Sequence, residues 1–252
     1  MKQSKSVVTV TLFAALVAAS AIAQRPPSGL LRRNLANRMN RHETAAPVPT
    51  GLGSNPFALI DYPGAIAKQY ALAINDKGRI VGVANSPDGS IWGYLLQGTT
   101  FKQIGFPGAP AGAATGINQS GLMVGIYCDD PLCDTTIHGF VLKGKNYTAL
   151  EYPGGMNTGP SGVNAAGDIV GSYQSADYIT HGFLLHKGVF TSFDAPLAGL
   201  VTAPASINKQ GQIVGFFYEP DDTNIHGFLL QNGVFTQVDY PGAAGTVLNA
   251  IN

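Results

Sequence analysis

One stretch of roughly 45 residues is written four times in this chain and begun a fifth time, so the fold must be an array of equivalent units. The clearest copy runs from Ile207 to Pro241, INKQGQIVGFFYEPDDTNIHGFLLQNGVFTQVDYP. Its recurring letters are INxxGxIVGxY, a variable insert, then HGFLLxxGxFTxxDYPG. Three landmarks hold the period. The turn asparagine falls at Asn75, Asn118, Asn164, Asn208 and Asn252, in steps of 43, 46, 44 and 44 residues. The proline of DYPG falls at Pro63, Pro107, Pro153, Pro196 and Pro241, and the third landmark is Trp92, His138, His181 and His226.

Each unit reads as four short strands. An apolar strand such as Ala71 to Ile74 enters the turn NDKG, where Gly78 supplies the positive φ that closes a hairpin, and RIVGV returns. After the insert a second hairpin follows, HGFLL into VFTSFD, rich in β-branched and aromatic residues. DYPG ends the ladder and starts the crossing to the next unit. Four antiparallel strands per unit, repeated, predict an all-β chain of β-propeller-like blades; a parallel β-helix has shorter coils and needs no paired hairpins. Gly82, Gly125, Gly171 and Gly215 recur inside the second strand, which predicts a close approach of neighbouring backbones there. Phe57 to Tyr62 reads as the last strand of one further unit and Thr246 to Ile251 as the first strand of another. Four complete repeats with partial units at both ends predict an open arc or a truncated product rather than a closed ring.

The combination INxxGxIVGxY, HGFL and FTxxDYPG, from Phe57 to Asn252, resembles the HAF-repeat family of extracellular bacterial repeat proteins. The resemblance implies secretion and a repeat fold, and it brings no enzyme activity and no catalytic residues. The chain departs from the pattern at Trp92, which replaces the histidine, at Gly105, which replaces the acid of DYPG, and at Asp194 to Leu197, which reads DAPL.

Residues 1–23 read as a secretory signal peptide: Lys2 and Lys5, an apolar run from Val7 to Ala19, then Ala21-Ile22-Ala23. That apolar run is shorter than the ~20 residues that cross a bilayer, and no later segment could cross one as a helix. The expected location is secreted or periplasmic, in a bacterium. Residues 24–56 form a linker with Arg25, Arg32, Arg33, Arg38 and Arg41 against one acid, Glu43. Two readings stand for it, a solvated spacer and a segment drawn to an anionic surface. The repeat domain is residues 57–252. Cys128 and Cys133 bracket the insert CDDPLC and are expected to form a local disulfide; two cysteines without a nearby histidine pair are too few for zinc.

The chain carries 15 basic and 15 acidic residues and 12% charged residues in all, a balance without the electrostatic footprint of a nucleic-acid binder. It lacks GxSxG, HExxH and a Gly-rich phosphate loop. No cofactor and no metal site is expected. Candidate ligand-binding residues are the repeated ones that share a face: Tyr62, Phe106, Tyr152 and Tyr240 of the DYPG turns, and Trp92, His138, His181 and His226. Each group has an equally simple structural reading, as packing between units for the first and as strand starts bonded to backbone for the second. The inserts hold further acids, Asp129, Asp130, Asp134 and Asp177 with Asp221 and Asp222, suited to a hard cation or to solvated turns. These features predict a non-enzymatic secreted module that binds a glycan, a peptide or a cell-surface partner. The competing expectations are a polysaccharide hydrolase or lyase using acids such as Asp221 and Asp222, and a structural protein that self-associates through open strand edges.

Overall fold

A computed structural model describes residues 60–63, 65, 69–85, 90–220 and 224–252. The regions read as signal peptide and linker lie outside these, as do Asp221 and Asp222. The described residues form sixteen strands in four sheets, each a meander in chain order. Blade 1 is β1 (Gln69–Ile74), β2 (Ile80–Asn85), β3 (Ile91–Gln97) and β4 (Thr100–Ile104). Blade 2 is β5 (Ala111–Ile117), β6 (Met123–Cys128), β7 (Ile137–Lys143) and β8 (Asn146–Leu150). Blade 3 is β9 (Met156–Val163), β10 (Ile169–Gln174), β11 (Thr180–His186) and β12 (Val189–Phe193). Blade 4 is β13 (Thr202–Ile207), β14 (Ile213–Tyr218), β15 (Ile225–Gln231) and β16 (Val234–Val238). The predicted all-β propeller is the fold observed. The first strands β1, β5, β9 and β13 touch one another in succession, so they are the inner strands and the fourth strands lie outside.

Much of the core lies between blades, although Val201, Ala203, Phe216 and Tyr218 form a cluster within blade 4. Val81 and Ile104 of blade 1 pack with Ala114, Phe140 and Leu142 of blade 2, and Val124 and Leu150 of blade 2 pack with Val163, Ile169 and Phe183 of blade 3. Val170 and Ala195 of blade 3 then meet Ile213, Phe217 and Phe228 of blade 4. One aromatic per blade (Tyr94, Phe140, Phe183, Phe228) is fully buried at the same repeat position, each worth roughly 1.5–3 kcal/mol of burial.

The turn asparagines do more than start turns. Asn118 Oδ1 accepts the backbone N–H groups of Ser120, Gly121 and Leu122, which shapes its own turn. Its Nδ2 donates to the Asn164 carbonyl of the next blade at 2.9 Å. Asn75 donates likewise to the Asn118 carbonyl and Asn164 to the Asn208 carbonyl, so a ladder of buried amides ties four blades together.

The close approach expected at the second-strand glycines is present, but it lies inside each blade. A Cβ on Gly125 would come 2.2 Å from the Ala113 carbonyl oxygen and 2.5 Å from the Phe140 ring, beside the bulge between Ala114 and Gly116. Close approaches across blades fall at other glycines: a Cβ on Gly139 of HGF would meet Pro160 of blade 3 at 2.9 Å, and one on Gly162 of β9 would meet Ser206 of blade 4 at 3.2 Å.

The described residues of neither end segment form the strand expected there, and Phe57 to Leu59 lie outside the described residues. Ile60 to Tyr62 has no ladder, because a last strand pairs with the third strand of its own unit and no described residue supplies one. Thr246 to Ile251 is also strandless, yet it lies where an inner strand would. Thr246 donates to the Ile225 carbonyl at 2.8 Å, as Thr180 bonds the Leu200 carbonyl one repeat earlier. An inner strand takes its ladder from its own second strand, and none of the described residues provides one there.

Candidate ligand-binding face

Antiparallel meanders place the first-to-second and third-to-fourth turns at one end of the propeller. The inserts and the DYPG crossings lie at the other end, called here the insert end. Strand register builds the repeated unit found there. His138, His181 and His226, each the second residue of a third strand, pair across the ladder with Tyr127, Tyr173 and Phe217. The rings of Tyr127 and His138 stack at 4.9 Å, and those of Tyr173 and His181 at 5.2 Å. The DYPG aromatic of the preceding blade covers the other side. Phe106 stacks on Tyr127 at 4.1 Å, and Tyr152 on Tyr173 at 3.5 Å. Phe106, Tyr152 and Tyr62 thus sit between units, Tyr62 against Tyr94 and Phe101, and each shows only part of its ring to solvent. Tyr240 is the exception, 75% exposed.

Carboxylates hold the imidazoles. His138 Nδ1 lies 2.8 Å from Glu151 and its Nε2 3.3 Å from Asp129. His226 lies 2.9 Å from Asp239 and 3.1 Å from Glu219. In blade 3 His181 takes Asp194 at 2.9 Å and the Ser175 hydroxyl at 3.0 Å. Glu151, Asp194 and Asp239 are the acids of the DYPG turns, so an acid read as a turn former also anchors the histidine thirteen residues before it. Burial pulls the His138 imidazole down in pKa, but the bonds to Glu151 and Asp129 outweigh it and raise the group above its ordinary value. His226 is raised in the same way, its partial burial overridden by Asp239 and Glu219.

The departures from the repeat pattern have local causes. The Trp92 ring covers Gly105, where a Cβ would meet it at 3.3 Å, and Trp92 Nε1 donates to Ser90 at 2.9 Å. The missing histidine and the missing acid of blade 1 are therefore one exchange, in which indole occupies the room of an imidazole and its carboxylate. In DAPL, Ala195 stands where the other turns carry Tyr or Phe, and it is buried against Phe217 and Phe228.

The insert of blade 2 is closed by a disulfide between Cys128 and Cys133, with Cα atoms 5.2 Å apart, as expected. Within it Asp130 accepts from the backbone N–H groups of Leu132, Asp134 and Thr135 and from the Thr135 hydroxyl. Burial works against its charge, yet these bonds prevail and hold the carboxyl below its usual range.

The candidate residues from the sequence thus share the insert end, but they line separate inter-blade units rather than one cavity. Two shallow clefts open at the opposite end, of about 290 Å³ around Gln210, Gln212 and Asn232 and about 330 Å³ around Ser120, Lys143 and Ala166. Among the described residues, no group of three or more His, Cys, Asp or Glu is placed to hold a metal ion, and no helix is long and apolar enough to cross a membrane. Sequence reasoning missed the middle aromatics Tyr127, Tyr173 and Phe217 and the pairing of each histidine with its acids. The signal was present in the last letter of IVGxY and in the constant spacing from histidine to acid.

No family model matches the chain, and no curated protein matches it. Solved structures do. TolB from Acinetobacter baumannii is 13% identical with a TM-score of 0.50, over 68% of this chain and 42% of that one, a likeness that bears on fold alone. AofleA from Arthrobotrys oligospora is 12% identical (TM-score 0.45, 69% of this chain, 59% of that one). Aleuria aurantia lectin in complex with alpha-methyl-L-fucoside is 13% identical (TM-score 0.42, 69% and 60%). The chain spans less than two thirds of each of these proteins, and the last two likenesses are too distant to bear on what it binds.

Proposed function

We propose that this protein is a non-enzymatic, secreted binding module of the HAF-repeat kind whose insert end holds a glycan. The observation that supports the reading most directly is the repeated pairing of carboxylate and imidazole at His138, His181 and His226, with an aromatic ring beside each imidazole that is stacked at the first two and tilted at the third. These units fix charged acceptors beside partly exposed ring edges, and the same end exposes Leu132, Met156, Tyr178, Leu197 and Tyr240. That combination suits a sugar, which offers hydroxyl donors on its rim and C–H surface on its faces. Glu151 and Asp239 are each already bonded to an imidazole, which suits orientation of a ligand more than proton transfer between paired acids. A glycan array probed with the labelled full chain tests the proposal. The expected result is retention of a restricted set of saccharides without product release, weakened at least tenfold by Glu151→Gln together with Asp194→Asn. Uniform background on the array, or release of shorter sugars, would contradict it.

A further inference from the structure

The chain's zero net charge conceals two ends of opposite sign. At the insert end stand the insert acids Asp129, Asp130, Asp134, Asp177 and Glu219. The crossings add Asp61, Glu151, Asp194 and Asp239, and no lysine or arginine lies at this end among the described residues. The opposite end carries Lys77, Arg79, Lys143, Lys145, Lys187 and Lys209 against only Asp76 and Asp168. The acidic end also exposes Leu132, Met156, Tyr178 and Leu197, all more than two fifths accessible. A one-signed surface seeded with exposed apolar groups fits a partner of opposite charge that brings apolar side chains of its own.

We propose that this acidic end is a docking surface for the chain's own arginine-rich segment, residues 25–43. The segment holds five arginines and one acid, interleaved with Leu30, Leu31, Leu35 and Met39. It joins the propeller at the correct end, because Asp61 to Pro63 belongs to a DYPG crossing and so to the acidic face. About 20 residues separate Arg41 from Asp61, a tether that reaches roughly 60 Å at full extension, enough to cross the face. Tethering raises the effective concentration of the segment to the order of millimolar, an advantage that the basic end of a second copy lacks. Whatever ligand the insert end takes competes with this segment, a corollary that alone depends on the glycan reading.

The test uses a fluorescently labelled peptide of residues 25–43 and two forms of the full chain: wild type, and a variant with Arg25, Arg32, Arg33, Arg38 and Arg41 all changed to Gln. The variant, whose face is freed, is expected to bind the peptide saturably and at least tenfold more tightly than wild type. Raising the salt from 50 to 500 mM should weaken that binding at least tenfold. Adding Asp134→Asn, Glu151→Gln and Asp177→Asn to the variant should weaken it to a similar degree, with an unchanged circular-dichroism spectrum, whereas Lys77→Gln and Lys209→Gln at the other end should not. Equal binding to wild type and variant would overturn the proposal, as would binding indifferent to the acidic-end substitutions. Concentration-dependent sedimentation that survives the five Arg→Gln changes would instead assign the face to a second copy, and would overturn it too.

Discussion

Asn118 serves two structures at once, because its Oδ1 closes its own turn while its Nδ2 reaches the Asn164 carbonyl in the neighbouring blade. Asn118→Ala strands a buried carbonyl as well as several turn N–H groups, so a loss of about 2 kcal/mol or more in denaturant unfolding is expected, with the midpoint shifted and the slope kept. Asn118→Asp should not restore it, since the lost group is the donor. Trp92 and Gly105 make a second residue-level case. If indole on glycine replaces imidazole on carboxylate as a unit, Trp92→His and Gly105→Glu are each destabilising alone and recover together, with a coupling of about 0.5–3 kcal/mol in a double-mutant cycle. Additive effects would show that the two departures are unrelated.

At the scale of the element, strands and turns were legible because their causes are local. The asparagine turns, the positive φ of Gly78 and the β-branched and aromatic content of HGFLL and VFTSFD each act over a few residues, and the four hairpin pairs stand where these signals lie. The stacks at the insert end were not legible. Phe106 reaches Tyr127 across a blade boundary, and repeat letters show that positions are equivalent without showing which of them touch. The same holds for the second-strand glycines, whose close approach was foreseen but whose neighbour, the bulged strand of the same blade, was not. The connections also set a pH window. His138 and His226 have raised pKa values in the folded state, so the stability they contribute is fully present below about pH 6.5 and is lost as pH rises through those raised values. Asp130 and Asp239 are lowered, Asp239 because bonds from Gln237 and His226 outweigh its burial. Their contribution is present above about pH 4 and is lost as pH falls through the lowered values. Melting temperature should therefore be highest between about pH 4 and 6.5, and Glu151→Gln should flatten the alkaline decline while sparing the acid limb.

For the whole molecule, composition was the poorest guide. Balanced charge excluded the footprint of a nucleic-acid binder but said nothing of how charge is distributed, whereas an antiparallel meander sorts connections by parity, and among the described residues most of the acids fall in connections opposite to those that carry Lys77, Arg79, Lys143, Lys145, Lys187 and Lys209. The propeller accordingly has a basic end bound by the asparagine ladder and an acidic end that bears the histidine units, the end proposed to take the ligand. The most direct measurement compares saccharide binding by the full chain after Glu151→Gln, Asp194→Asn and Asp239→Asn with binding after Lys77→Gln, Lys145→Gln and Lys209→Gln. The first set is predicted to abolish or weaken binding at least tenfold while the second leaves it unchanged. Loss of binding through the lysine set, with the acid set silent, would place recognition at the basic end and overturn the proposed glycan-binding face.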